Sequence, residues 1–159
     1  MEINKSTRHH KIIGDCGEHL ICNWLSRSGM EVTIVDHTGI DIIAFDPHRD
    51  IRMGISVKSR TRRKGTENDS VNFFKDSDRE KVVNACKAFG CLPWLAAYVE
   101  AENHADIYLT SLDNFDKKYR REGKSVDAWK MDAASRQAYL SDQEVKHISI
   151  HFEPANWFY

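Results

Sequence analysis

The 159-residue sequence predicts a mixed α/β sandwich in which two helices flank one sheet. Three observations carry that expectation. Two amphipathic stretches each stop at a glycine, Gly29 and Gly90. Three short, β-branched runs form a meander between them. Two apolar runs follow the second stretch. The length suits a single domain over residues 1–159, with a core of about 12–110 and a C-terminal elaboration of about 111–159.

Residues 1–12 read as a polar arm. A helix fits about Asp15 to Ser28, with Leu20, Ile21, Trp24 and Leu25 as its apolar stripe. Glu18 falls at the border of that stripe. It reads either as an edge residue with a basic partner or as a carboxylate aimed into a site at the sheet edge. Strands follow at about Glu31–Val35, Ile40–Phe45 and Ile51–Ser59, with Asp46-Pro47-His48-Arg49-Asp50 turning between the last two. Arg60 to Asn72 reads as a long polar loop. Ser77-Asp78-Arg79-Glu80 has the form of a capping box, opening a helix whose inner face is Val82, Cys86 and Phe89, with Val83 beside them. Pro93 introduces a strand over Trp94–Val99, and Ala105–Leu109 is its antiparallel partner. Ser111–Glu122 and Trp129–Tyr139 read as two further helices. A last strand points Ile148, Ile150 and Phe152 one way and His147, Ser149 and His151 the other.

Composition excludes several classes. Hydrophobic residues are 41% and charged residues 30%, as in ordinary globular chains. No run approaches the roughly 18 apolar residues of a membrane helix, and Met1–Lys5 carry no apolar signal-peptide core. Cys16, Cys22, Cys86 and Cys91 form no CxxC pair and read as free thiols of a reducing cytoplasm. The net charge of −1 does not announce a nucleic-acid binder, but the charge comes in blocks. Five of the seven residues from Lys58 to Lys64 are cations, and Lys117-Lys118-Tyr119-Arg120-Arg121 is a second cluster. Acids collect at Asp76–Glu80 and Glu100–Asp116.

The chemistry concentrates in two neighbouring strands. Gly39-Ile40-Asp41-Ile42-Ile43-Ala44-Phe45 is apolar except for Asp41, and Gly54-Ile55-Ser56-Val57-Lys58-Ser59 ends near a lysine. A carboxylate and an ammonium in buried strands are costly unless they face each other, a metal or a substrate. Ser56, Lys58 and Arg60 share one face, and Ile55 and Val57 the other. If the strands pair as a hairpin, Asp41 and Lys58 meet near one end of the sheet. The bland alternative is an internal ion pair.

Gly39-Ile40-Asp41-Ile42-Ile43-Ala44 followed by Ile55-Ser56-Val57-Lys58-Ser59-Arg60 resembles the core of the PD-(D/E)xK nuclease superfamily. The likeness is nearest to archaeal Holliday-junction resolvases and related small endonucleases. It extends to Glu18 in Gly14-Asp15-Cys16-Gly17-Glu18 and to Phe89-Gly90-Cys91-Leu92-Pro93-Trp94. The resemblance implies a restriction-endonuclease-like α/β fold, a mixed β-sheet flanked by helices with an αβββαβ core. It implies Mg²⁺- or Mn²⁺-dependent hydrolysis of DNA phosphodiesters. Asp41 and Glu18 are the carboxylates that hold the metal, with the Val57 carbonyl as a neutral ligand, and Lys58 orients the attacking water. Arg60, Arg62, Arg63 and Lys64 hold flanking phosphates. It also implies a homodimer, since cutting both strands at once needs two sites.

Position 56 departs from the pattern, which has an acid there. Three readings follow. The site works with Glu18, Asp41 and a hydroxyl or water; a carboxylate comes from elsewhere, with Glu80, Glu67 and Asp69 as candidates; or the fold keeps binding and loses cleavage. Lesser candidates are His9-His10 and the pair His147 and His151 as metal ligands, Cys16 or Cys86 as a nucleophile, and Asn156-Trp157-Phe158-Tyr159 as a stacking or dimer segment.

Overall fold

A computed structural model describes residues 5–121 and 123–153; the Asn156–Tyr159 segment lies outside them. Helix α1 spans His9–Arg27, and strands β1 (Glu31–His37), β2 (Ile40–Asp46) and β3 (Ile51–Thr61) form the expected meander. Strand β4 (Val71–Lys75), helix α2 (Asp76–Phe89) and strands β5 (Leu92–Glu100) and β6 (His104–Ser111) follow. Helix α3 (Leu112–Lys118), strand β7 (Val126–Trp129), helix α4 (Ala133–Ser141) and strand β8 (Lys146–His151) complete the chain. The main sheet has the order β1-β2-β3-β5-β6-β8, and β4 pairs with β7 in a separate ribbon. Among the described residues the central β3–β5 pair of the main sheet is parallel and its other pairs are antiparallel.

Alternation along the strands builds two cores. Ile42, Ala44, Ile55, Val57, Ala96 and Tyr98 pack under α1 with Ile13, Ile21 and Leu25. Leu95, Ala97, Val99 and Tyr108 pack on the other face with Val82, Ala85 and Cys86 of α2 and with Phe73, Phe115 and Trp129. The two helices therefore flank the sheet as the patterning predicts. No helix among the described residues is long and apolar enough to cross a membrane. All four cysteines are free.

Five sequence expectations need correction. Helix α1 starts at His9, not Asp15, because Ile13 is buried and the His9 ring reaches Thr61 Oγ1 at 2.8 Å. The polar loop is shorter than expected: β3 runs on to Thr61, and β4 forms where Val71, Phe73 and Phe74 find β7. The capping box does not form; Lys75 occupies the N-cap of α2 and no side chain caps it. Val83 and Phe89 are exposed, and Ala85 takes the inner position. Trp129 ends a strand; the helix waits until Asp132, whose carboxylate accepts from the Ser135 amide at 2.9 Å.

Gly39 fixes how α2 sits over the start of β2. Its φ is +108°, and an added Cβ would fall 2.5 Å from the Lys81 carbonyl oxygen. Backbone cannot yield as a side-chain tip can. Gly39→Ala is expected to cost about 2–3 kcal/mol or more, from strain and steric conflict together, read as the shift of a denaturant midpoint.

Candidate active site

The β2–β3 register ends at Ile42 opposite Ile55, whereas β3 continues beside β5 through Ser56–Leu95 to Thr61–Glu100. Beyond that point the Val57 amide turns to a side chain on β2: it donates to Asp41 Oδ2 at 2.6 Å. In a strand, a residue's N–H and C=O point to the same side. The Val57 carbonyl is thus directed toward the same gap. Asp41 shares a face with Ile43, which packs against the α2 core, and Ser56 and Lys58 share that face with Gly54, which abuts Cys86.

A pocket of about 190 Å³ opens there. Asp41, Ser56 and Lys58 line it from the sheet, Phe73 and Phe74 from β4, and Asp78 and Lys81 from α2. Asp41 and Lys58 do meet in one site, but they form no ion pair. Among the described residues the half-buried Lys58 ammonium has neither hydrogen bond nor ion pair. Ser56 is 2% exposed and its hydroxyl is likewise unpartnered. The arrangement presents a fixed carboxylate, an unneutralised ammonium and an unused hydroxyl to one small polar space. Such a set can bind a hard cation or a phosphate.

Glu18 is half-buried on α1, which lies close to β3 and β5 because Gly17 rests against Ser59 and Tyr98. Glu18 does not line the pocket, yet it interacts electrostatically with its groups. Burial, then the charges of Asp41 and Asp15, push its carboxyl above the ordinary 4.5, while His19 and Lys58 pull it down. A proton held more tightly in the folded chain stabilises the fold below the ordinary value, and that contribution is lost as pH rises through the raised one. Glu18→Gln is therefore expected to melt higher than wild type near about pH 7 and to lose that advantage toward about pH 4, in melts run across that range.

The alternative acids do not reach the site. Glu80 is exposed on α2 and borders a separate hollow with Arg79, Val83 and Asn84. Glu67 and Asp69 lie in the loop, where their carbonyls accept from Arg136 and Arg62. The second acid that lines the pocket beside Asp41 is Asp78. In sequence it looks like part of a helix start, and only the packing of α2 on Gly39 brings it over the sheet.

Tertiary structure also sorts the cations. Arg62 donates to the carbonyls of Asp69 and Ser70 at 2.9 and 2.8 Å, so it clamps the loop. Arg60 donates to the Ser59 carbonyl at 2.7 Å. The side chains of Arg63 and Lys64 are exposed, without hydrogen bond or ion pair among the described residues. In the second cluster, Lys117 pairs with Asp113, Lys118 with Asp142 and Arg120 with Asp127. Only Arg121 of that run stays unpaired among the described residues; it lines a pocket of about 210 Å³ with Lys124, Lys130 and Ser70.

The lesser candidates find ordinary roles. His147 Nε2 lies 3.0 Å from Asp106 and its ring stacks on Tyr108. Among the described residues no three histidine, cysteine or acidic side chains group to hold a metal. Burial raises the Cys16 thiol and pushes Cys86 up to about 11, which makes both poor nucleophiles at neutral pH. A larger apolar groove, about 560 Å³, lies on the α1 face beside β6 and β8.

No protein-family model and no curated protein matches the chain. Among solved structures, Hjc from Archaeoglobus fulgidus, a Holliday junction resolvase, aligns with a TM-score of 0.56 at 14% identity, over 79% of this chain and 88% of that one. A bacterial homing endonuclease aligns over 98% of this chain and 83% of its own at a TM-score of 0.45 and 16% identity. The likeness to the resolvase shows the fold: this chain has the restriction-endonuclease-like α/β architecture.

Proposed function

We propose that the chain is a divalent-metal-dependent endonuclease that hydrolyses DNA phosphodiester bonds, with selectivity for branched DNA. The observation that carries this reading is the unpaired Lys58 ammonium beside the Asp41 carboxylate, at the point where β2 and β3 part on a nuclease fold.

The donors suit a hard cation. They are the free oxygen of Asp41, the Val57 carbonyl and, at the border, Glu18, all oxygen as Mg²⁺ and Mn²⁺ prefer. A bound ion of that kind neutralises charge on the phosphate oxygens. The residues supply the rest. The Val57 amide holds Asp41 in one orientation. Lys58 orients the attacking water and stabilises the charge of the pentavalent phosphate. Phe73 and Phe74 limit water on one side of the pocket. Arg60 near the end of β3 and Arg63 and Lys64 in the loop just beyond it form an exposed cationic track for flanking phosphates, and Arg121, Lys124 and Lys130 offer a second contact. Arg62 is not among these contacts, since its guanidinium is committed to the loop.

The test is nicking of supercoiled DNA with Mg²⁺, with Mn²⁺ and with a chelator; product only with a metal supports the reading, and none under either metal counts against it. In anisotropy titrations, Arg63→Ala with Lys64→Ala is expected to lower the slope of log affinity against log salt by about 2. Arg62→Ala should instead lower the melting temperature. Simultaneous cutting of both strands requires a homodimer, which light scattering reads directly.

One observation favours a second reading, a nuclease-fold module that grips DNA or a partner without cutting. Ser56 stands where an acid is needed, and no three-ligand cluster exists among the described residues. Tight, salt-dependent DNA binding with no product and no metal uptake is its signature.

A further inference from the structure

We propose that Asp78, in the first turn of α2, supplies the metal-binding carboxylate that β3 lacks at Ser56. This rests on the metal-dependent reading above and names the residue that completes its site.

Asp78 on α2 and Ser56 on β3 line the same pocket, together with Asp41 and Lys58 of the sheet. Ser56, a residue only 2% exposed, lines that space, and its hydroxyl has no partner among the described residues. The little surface Ser56 exposes opens on that pocket, so an occupant there meets a hydroxyl free to donate or accept. Serine is too short to reach across as a glutamate would. The helix shortens the gap instead: Gly39 has no side chain, and the α2 backbone at Lys81 and Val82 sits in the space a Cβ would fill. Arg79, the next residue, anchors the same turn through Asp127 at 2.8 Å and through Asp116. Asp78 is therefore carried on a fixed element, not on a loop.

Its present partner is weakly committed. Asp78 pairs with Lys81 three residues on, at 2.8 Å, and both side chains are about half exposed, 49% and 51%. Exposed pairs of this kind contribute little. The Lys81 bond and charge, with smaller pulls from Lys58 and Lys75, hold its carboxyl below the ordinary 3.8. Exchange of Lys81 for a divalent ion would release that ammonium toward the substrate phosphate. The acids that sequence offered in its place, Glu80, Glu67 and Asp69, do not line the pocket.

The experiment is calorimetric titration of Mn²⁺ into the full chain without DNA. It compares wild type, Asp78→Asn, Asp78→Glu and the double variant Asp78→Asn/Ser56→Glu, each checked by a thermal melt. Wild type is expected to take up Mn²⁺, Asp78→Asn to bind at least about tenfold more weakly, and Asp78→Glu to stay within about threefold of wild type. Ser56→Glu is expected to restore binding in the Asp78→Asn background, because it returns the acid to the sheet. Equal affinity of Asp78→Asn and wild type overturns the inference and leaves the nuclease reading standing. Loss in Asp78→Asn with no recovery in a folded double variant also overturns it. If the double variant does not fold, Asp78→Glu decides: binding as poor as Asp78→Asn counts against a ligand role. No uptake by wild type removes the metal reading and this inference together.

Discussion

Lys58→Ala is expected to abolish cleavage while leaving the fold standing. The side chain has no partner among the described residues, so its removal orphans no buried group. The change in stability should stay below about 0.5 kcal/mol, as for substitutions away from packed or paired positions. The rate should fall by about 10²- to 10³-fold or more, the effect of removing one preorganised stabiliser of transition-state charge. DNA affinity should change little, because Arg60, Arg63 and Lys64 remain. Single-turnover cleavage beside a thermal melt separates the two effects. Unchanged cleavage in a folded Lys58→Ala protein would remove Lys58 from the chemistry.

Asp41 gives the second large effect, and two variants split its roles. Asp41→Asn keeps an oxygen for the Val57 amide, now 2.6 Å from Oδ2, but loses the charge. It should melt near wild type, fail to bind Mn²⁺ and lose about 10³-fold or more in cleavage. Asp41→Ala should lose cleavage to the same degree and also about 1–3 kcal/mol of stability, since it leaves the Val57 amide without its acceptor. Both variants relieve the like charge on Glu18, whose carboxyl should titrate closer to its ordinary 4.5. Equal melting of the two variants would mean that the Asp41–Val57 bond contributes nothing.

Local pattern made much of the fold legible. The three strands of the meander are β-branched and end at glycine or a polar turn, and the structure keeps all of them. Parity along β3 placed Ser56 and Lys58 on one face and Val57 on the other, which is how the two cores divide. What escaped depends on distant partners. Val71–Lys75 becomes a strand only because it pairs with β7, from the far end of the chain. Lys118 and Arg120 look like a basic patch until Asp142 and Asp127 fold onto them. Asp78 hides for a related reason: Ser77-Asp78-Arg79-Glu80 satisfies a local rule for a helix start, and that rule is silent about which pocket the first turn overhangs. His9–Lys11 is polar and Ile12 is exposed, so nothing in the local periodicity announces that α1 begins there.

The most direct test of the account is cleavage of a labelled four-way junction, with nicked and linear duplexes alongside, by the full chain in Mg²⁺ and in Mn²⁺. Wild type is expected to give metal-dependent product, strongest on the junction, and Lys58→Ala none. A wild-type protein that binds the junction but yields no product in either metal would contradict it and leave a nuclease fold that holds DNA without cutting.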